Sequence, residues 1–110
     1  MKTVLTFLVI VTTFLFSFAP AHADEINAGK LFTANCAACH AGGLNRVVAA
    51  KTLKKDALQK YNMYSVEKVA YQIAKGKNAM PAFGKKLSQE EIQAIAQYVI
   101  DQADRNWGKA

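Results

Sequence analysis

The sequence predicts an all-α domain, and three observations carry that expectation. An apolar stripe at helical spacing follows a capping signal near the C-terminus. A second stripe follows Ser65. Beyond residue 23 no alternating run of β-branched residues offers a strand, and no repeat or low-complexity segment interrupts the pattern.

Taken in order, Ile26, Gly29, Leu31 and Phe32 fall at helical spacing, with Asp24 placed to cap and two acids in the first turn, so a short helix is expected over 25–35. Ala41-Gly42-Gly43-Leu44-Asn45 is a turn signal, and the stretch up to Lys51 has no period; it reads as a loop wrapped around something. A brief helix fits 54–61. Ser65 then caps another, with Val66, Val69, Ala70 and Ile73 on one face and Gly76 as its stop. A second loop over 77–86 is marked by Pro81 and Gly84. The last helix begins at the capping box Ser88-Gln89-Glu90-Glu91, carries Ile92, Ile95, Ala96, Val99 and Ala103 on one stripe, and is expected to reach about Arg105.

The N-terminus has another purpose. Lys2, an apolar run over residues 4–18 and Ala21-His22-Ala23 are the basic, hydrophobic and small-residue parts of a secretory signal peptide, with cleavage expected after Ala23. The run falls short of the ~20 residues that span a bilayer, which sets the uncleaved anchor behind the cleaved signal. No Arg- and Ser-rich transit sequence precedes it, so it reads as bacterial export. The expected organisation is a signal peptide at 1–23 and one domain at 24–110. A domain of this size is marginal on its apolar core alone, and something extra should be buried in it.

The full chain has 14 basic and 8 acidic residues, a formal charge of +6. Loss of Lys2 leaves an excess of five, which favours acidic partners. The lysines are scattered, with no tract longer than Lys54-Lys55 or Lys85-Lys86, so nucleic acid is not an expected partner.

Cys36-Ala37-Ala38-Cys39-His40 carries the chemistry. Two thiols three apart can each add to a haem vinyl group, and the following residue then brings an imidazole to the iron. Cys36 and Cys39 are the candidates for the thioethers and His40 for the proximal ligand. Three other readings compete. A Cys36–Cys39 disulfide would close a very small loop and gain little from it. A thioredoxin-like pair needs a βαβ setting, and no strands are expected here. A zinc site needs further ligands, yet the only other histidine, His22, lies in the export segment.

For a six-coordinate iron, the missing second histidine leaves Met63, Met80 or a lysine. Met80 is the stronger candidate, because Pro81 stiffens its loop and Ala79 and Ala82 let the chain approach a flat ring. Met63 reads as a core filler. His and Met together leave no open position for a substrate, so the chain reads as a one-electron carrier rather than an enzyme. Leu44, Tyr61, Tyr64, Phe83 and Leu87 are candidate walls around the ring.

The chain resembles the cytochrome c6 family over nearly all of residues 24–110. The resemblance lies in Ala28-Gly29-Lys30-Leu31-Phe32, Asn35-Cys36, His40-Ala41-Gly42-Gly43, Lys51-Thr52-Leu53, Tyr71-Gln72, the run from Gly76 through Met80-Pro81-Ala82-Phe83, Tyr98-Val99 and Trp107. It implies a class I cytochrome c fold, about four helices wrapped around one covalently bound haem c, with His40 and Met80 as axial ligands. It also implies a soluble carrier in the thylakoid lumen, or the periplasm, that takes electrons from the cytochrome b6f complex to photosystem I and can feed a terminal oxidase.

By the same resemblance Gln72 lies near the haem and helps set its potential, and Gly29 and Phe32 cross Tyr98 where the small residue lets the first and last helices approach closely. Many family members dock on photosystem I through an arginine after the methionine loop. This chain has Lys86 there, which keeps the charge but not the planar fork. The alternatives are a related monohaem carrier serving an oxidase or another redox enzyme, and a small haem peroxidase or thiol oxidoreductase.

Overall fold

The computed structural model describes residues 25–108; the signal peptide expected at 1–23 and the expected cap Asp24 lie outside the described residues. Five helices follow one another: α1 (Ala28–Asn35), α2 (Ala37–His40), α3 (Lys55–Lys60), α4 (Val66–Lys75) and α5 (Gln89–Asp104), with 3-10 turns at Ala41–Gly43 and Asn106–Gly108. Among the described residues the only extended pairing is a single bridge between Lys77 and Met80. The all-α expectation of a class I cytochrome c fold is met, and the one-turn α2 is the addition to the four helices expected.

α5 is the spine. Its capping box forms in full, with Ser88 Oγ accepting from Glu91 N at 3.1 Å and Glu91 Oε1 from Ser88 N at 2.9 Å. This satisfies two backbone donors at the helix start. Ile95 and Ala96 are completely buried on its inner face, where α1 and α4 pack. α4 is capped by Ser65 and turns Val69, Ala70 and Ile73 inward. Among the described residues the core contains no buried polar or charged side chain.

α1 starts three residues later than its sequence pattern predicts, and no acid lies in its first turn. Asn27 caps it, its side-chain oxygen accepting from Lys30 N at 3.0 Å. An asparagine oxygen at the N-cap does for this helix start what Asp24 was expected to do three residues earlier. Ile26 therefore precedes the helix and stays exposed, while Phe32 is the buried anchor. Phe32 meets Tyr98 of α5 at a centroid distance of 5.3 Å, the crossing that the resemblance implied. Gly29 is not what permits it. A Cβ there would stand 3.6 Å from Tyr98 Cε2, an ordinary van der Waals contact.

α3 and the loop after it are tied to the end of α5 at the surface. Tyr64 Oη donates to Asp104, and Lys55 Nζ lies 3.4 Å from the same carboxylate and 5.2 Å from the Tyr64 ring centroid. The Tyr64 hydroxyl, and after it Lys55, hold the Asp104 carboxyl below its ordinary range.

Gly76 is the glycine on which the fold turns. It ends α4 at φ +69°, and a Cβ there would lie 2.6 Å from Met80 O and 2.8 Å from Ala82 N. Gly29→Ala should therefore be neutral or stabilising by up to about 1 kcal/mol, the helical advantage of alanine. Gly76→Ala should cost more than about 1 kcal/mol, because it meets both a positive φ and backbone atoms. Denaturant unfolding of the two holoproteins compares them directly, and similar losses at both positions would contradict the packing described.

Candidate haem site

The cysteine motif lies on a helix broken once. α1 ends at Cys36, whose φ of −116° departs from the helix, and Ala37–His40 then forms one further turn. The turn is closed by Cys39 N and His40 N, both donating to Cys36 O, at 3.2 and 2.9 Å. Both thiols are free, so the disulfide expected as an alternative is not formed. Cys39 is exposed. Cys36 is half-buried, and burial pushes its thiol up to about 11. That is the opposite of the depressed thiol on which redox-active cysteine pairs depend.

His40 is held by a contact that no sequence pattern announces. Its Nδ1 lies 2.9 Å from Leu44 O. A carbonyl can only accept, so Nδ1 carries the proton and Nε2 keeps its lone pair for a metal. A carbonyl beside one ring nitrogen is what fixes the tautomer and orientation of a ligating imidazole. Leu44 N returns to Ala41 O at 3.3 Å, and Gly42 and Gly43 supply the positive φ values that the tight turn between them needs.

The loop beyond is organised by Asn45. Its side-chain oxygen accepts from Val47 N at 2.9 Å and Val48 N at 2.8 Å, and its amide donates to Lys51 O at 2.9 Å. Arg46 N donates to Cys39 O at 3.0 Å, which joins this loop to the motif. Leu44, Val47 and Val48 remain exposed.

Met80 sits on the second loop. Lys77 and Met80 exchange backbone hydrogen bonds at 3.0 and 2.9 Å, with Asn78 at φ +53° in the turn between them. Phe83 N and Gly84 N then donate to Ile73 O and Ala74 O, at 2.9 and 3.1 Å, binding the far side of the loop to α4. Met80 is thus fixed from both sides. Gln72, one turn before the end of α4, places its amide nitrogen 3.6 Å from the Met80 sulfur. Residue chemistry alone reads Gln72 as an ordinary exposed polar side chain; the structure makes it half-buried and aims it at the thioether.

Met63 and Met80 both pack against the core cluster, but the Gln72 amide addresses only Met80. Among the candidate walls, Phe83 is buried and Leu87 packs beside it, Leu44 and Tyr61 stay exposed, and Tyr64 commits its hydroxyl to Asp104. Lys86 is exposed, its ammonium 5.7 Å from the centroid of the Phe83 ring. Among the described residues no group of three or more His, Cys, Asp and Glu side chains is placed to hold a metal ion.

The donor chemistry fits haem c: two free thiols on one turn, an imidazole with Nε2 available, and a thioether on a rigid loop. Comparison with known proteins agrees. Residues 23–99 match the family model described as cytochrome c oxidase, cbb3-type, subunit III. Cytochrome c6 from Synechococcus sp. PCC 6312 is 52% identical over 110 residues, covering 97% of this chain and 98% of that one. Cytochrome c6 from Nostoc sp. PCC 7120 is 54% identical over 95 residues, covering 86% of each. The structure of cytochrome c6 from the diatom Phaeodactylum tricornutum aligns with a TM-score of 0.71 and 48% identity, over 73% of this chain and 94% of that one.

An amide N–H directed at sulfur draws electron density from the thioether, so it should weaken donation to ferric iron more than to ferrous. Gln72→Leu is expected to lower the midpoint potential by tens of millivolts, the scale of about 1 kcal/mol of hydrogen bonding in a one-electron couple. Redox titration of the holoprotein measures it, and an unchanged or raised potential would refute the contact's role.

Proposed function

Because the chain belongs to the cytochrome c6 family, we propose that it carries single electrons from the cytochrome b6f complex to photosystem I, and secondarily to a terminal oxidase. Family membership brings one covalently bound haem c, which supplies a ferric/ferrous couple. In this reading Cys36 and Cys39 anchor the group through thioethers, and His40 and Met80 are its axial ligands. Residues 1–23 direct export and are removed, and residues 24–110 work in the thylakoid lumen.

The observation that carries the reading is the fixed thioether. Met80 is held by its backbone exchange with Lys77, its loop is bound to α4 through Phe83 and Gly84, and its sulfur is met by the Gln72 amide at 3.6 Å. A ligand held in this way does not readily give up its place to a substrate, so the chain's residues keep the site closed. A thioether also favours the ferrous state over what a second imidazole would give, which suits a carrier of fairly high potential. The Leu44 carbonyl, 2.9 Å from Nδ1, holds the His40 imidazole in one tautomer and orientation.

Exposed Leu44, Val47 and Val48 just beyond the motif provide an apolar surface, and the basic excess, including Lys86, favours approach to an acidic partner face. The family model named for an oxidase subunit favours a second reading, in which an oxidase is the principal acceptor.

Flash-induced re-reduction of photosystem I by purified holoprotein separates the two. It should outpace an unrelated cytochrome c and slow as salt screens the basic surface. A rate no greater than that control defeats the photosynthetic assignment. Met80→Ala should abolish the red-edge band of methionine-ligated ferric haem, lower the potential and admit exogenous ligands; an unchanged spectrum would transfer the role to Met63 or a lysine.

A further inference from the structure

Trp107 lies beyond α5, where the backbone takes a costly path. Asn106 and Trp107 have φ of +50° and +56°, two successive non-glycine residues in the left-handed region. Such conformations persist where surrounding contacts over-determine them, often for a functional reason. Part of the compensation is packing: the Trp107 ring lies 5.3 Å from Phe32 and 6.2 Å from Tyr98, centroid to centroid. That packing makes no use of the indole N–H.

The N–H is spent on the loop of the haem motif. Trp107 Nε1 donates to Leu53 O at 3.0 Å, and Leu53 N donates in turn to Gly43 O at 2.8 Å. Gly43 lies so close beneath the indole that a Cβ would stand 2.5 Å from Trp107 Cδ1. The indole, Leu53 and Gly43 thus close the two ends of the 43–53 segment and fasten it to the α1–α5 pair. The Asn45 contacts act only within that segment. The residue next to Gly43 is Leu44, whose carbonyl receives the His40 Nδ1 proton at 2.9 Å.

We propose that Trp107 is a positioning residue for His40: by clamping Gly43 and Leu53 it fixes the Leu44 carbonyl, and with it the tautomer and tilt of the axial imidazole. The inference rests on His40 being the axial ligand. Donation from Nδ1 raises the basicity of Nε2 and favours ferric iron. Loosening the clamp weakens that donation, so the potential should rise.

Trp107 is the only tryptophan in the chain, which permits a clean test. Holoprotein carrying benzothienylalanine in its place keeps the fused ring and replaces N–H by sulfur. It is compared with wild type, with Trp107→Phe, and with Ile92→Val, a buried change at the far end of α5. Three quantities are read: hyperfine-shifted proton signals of the His40 ring in the ferric state, the exchange rate of its Nδ1 proton, and the midpoint potential. The expected result is exchange about tenfold faster, displaced ring signals and a raised potential in both Trp107 forms, with Ile92→Val like wild type.

Wild-type values in the benzothienylalanine protein overturn the clamp even if Trp107→Phe fails to fold. Changes no larger than those of Ile92→Val overturn it also. Absence of hyperfine shift on His40 in wild type removes the ligand assignment itself, and the inference with it. None of these readouts involves a redox partner, so they are independent of whether photosystem I is the acceptor.

Discussion

The return of the second loop onto the end of α4 is the constraint on which the rest of the site depends. Gly76 reverses the chain with an α-carbon that carries no side chain, and Met80 O and Ala82 N occupy the space a methyl would need. Four backbone hydrogen bonds then pin residues 77–84 against α4 and against one another. The thioether gains a fixed position without any buried polar side chain in the core among the described residues. Backbone, not side-chain, polar groups carry the geometry, two of the bonds lying within the loop and two reaching the last turn of α4.

The two loops are built by different means. The methionine loop is held by main-chain bonds to a helix. The loop after the cysteine motif adds side chains to its backbone bonds: Asn45 within it and Trp107 from the chain end. An imidazole needs a carbonyl at a set angle, so its loop must be fixed in orientation. A thioether has a softer directional demand, and a fixed distance from α4 is enough. The half-buried Cys36 thiol is pushed up to about 11 by burial, which keeps it protonated and poorly nucleophilic.

Much of this was legible in the sequence. α4 and α5 announce themselves by cap, stripe and stop, since local hydrogen bonding and periodic burial determine both. Cys36, Cys39 and His40 fall within five residues, and Met80 stands out once the second histidine, His22, is assigned to the expected signal peptide. What was not legible depended on distance along the chain or on backbone groups. α1 has two cap-competent residues, Asp24 and Asn27, and composition does not choose between them. The Leu44 carbonyl has no residue identity to read. Gln72 meets Met80 only because α4 ends one turn later, and Trp107 reaches Leu53 across 54 positions. Gly29 shows the opposite failure: a glycine at a helix crossing invites a close-packing explanation, and the space beside it, which would admit a Cβ at ordinary contact distance, does not require it.

Asn45 carries a further implication. By taking the amides of Val47 and Val48 and giving its own amide to Lys51, it sets the path of the backbone without help from the side chains of residues 46–50. Those positions are released from structural duty while remaining at the surface beside the motif. Evolution can therefore rewrite the chemistry of this rim, its charge at Arg46 or its bulk at Val47, without moving the ligand behind it. One asparagine separates the part of the molecule that must stay constant from the part that can diversify as partners change.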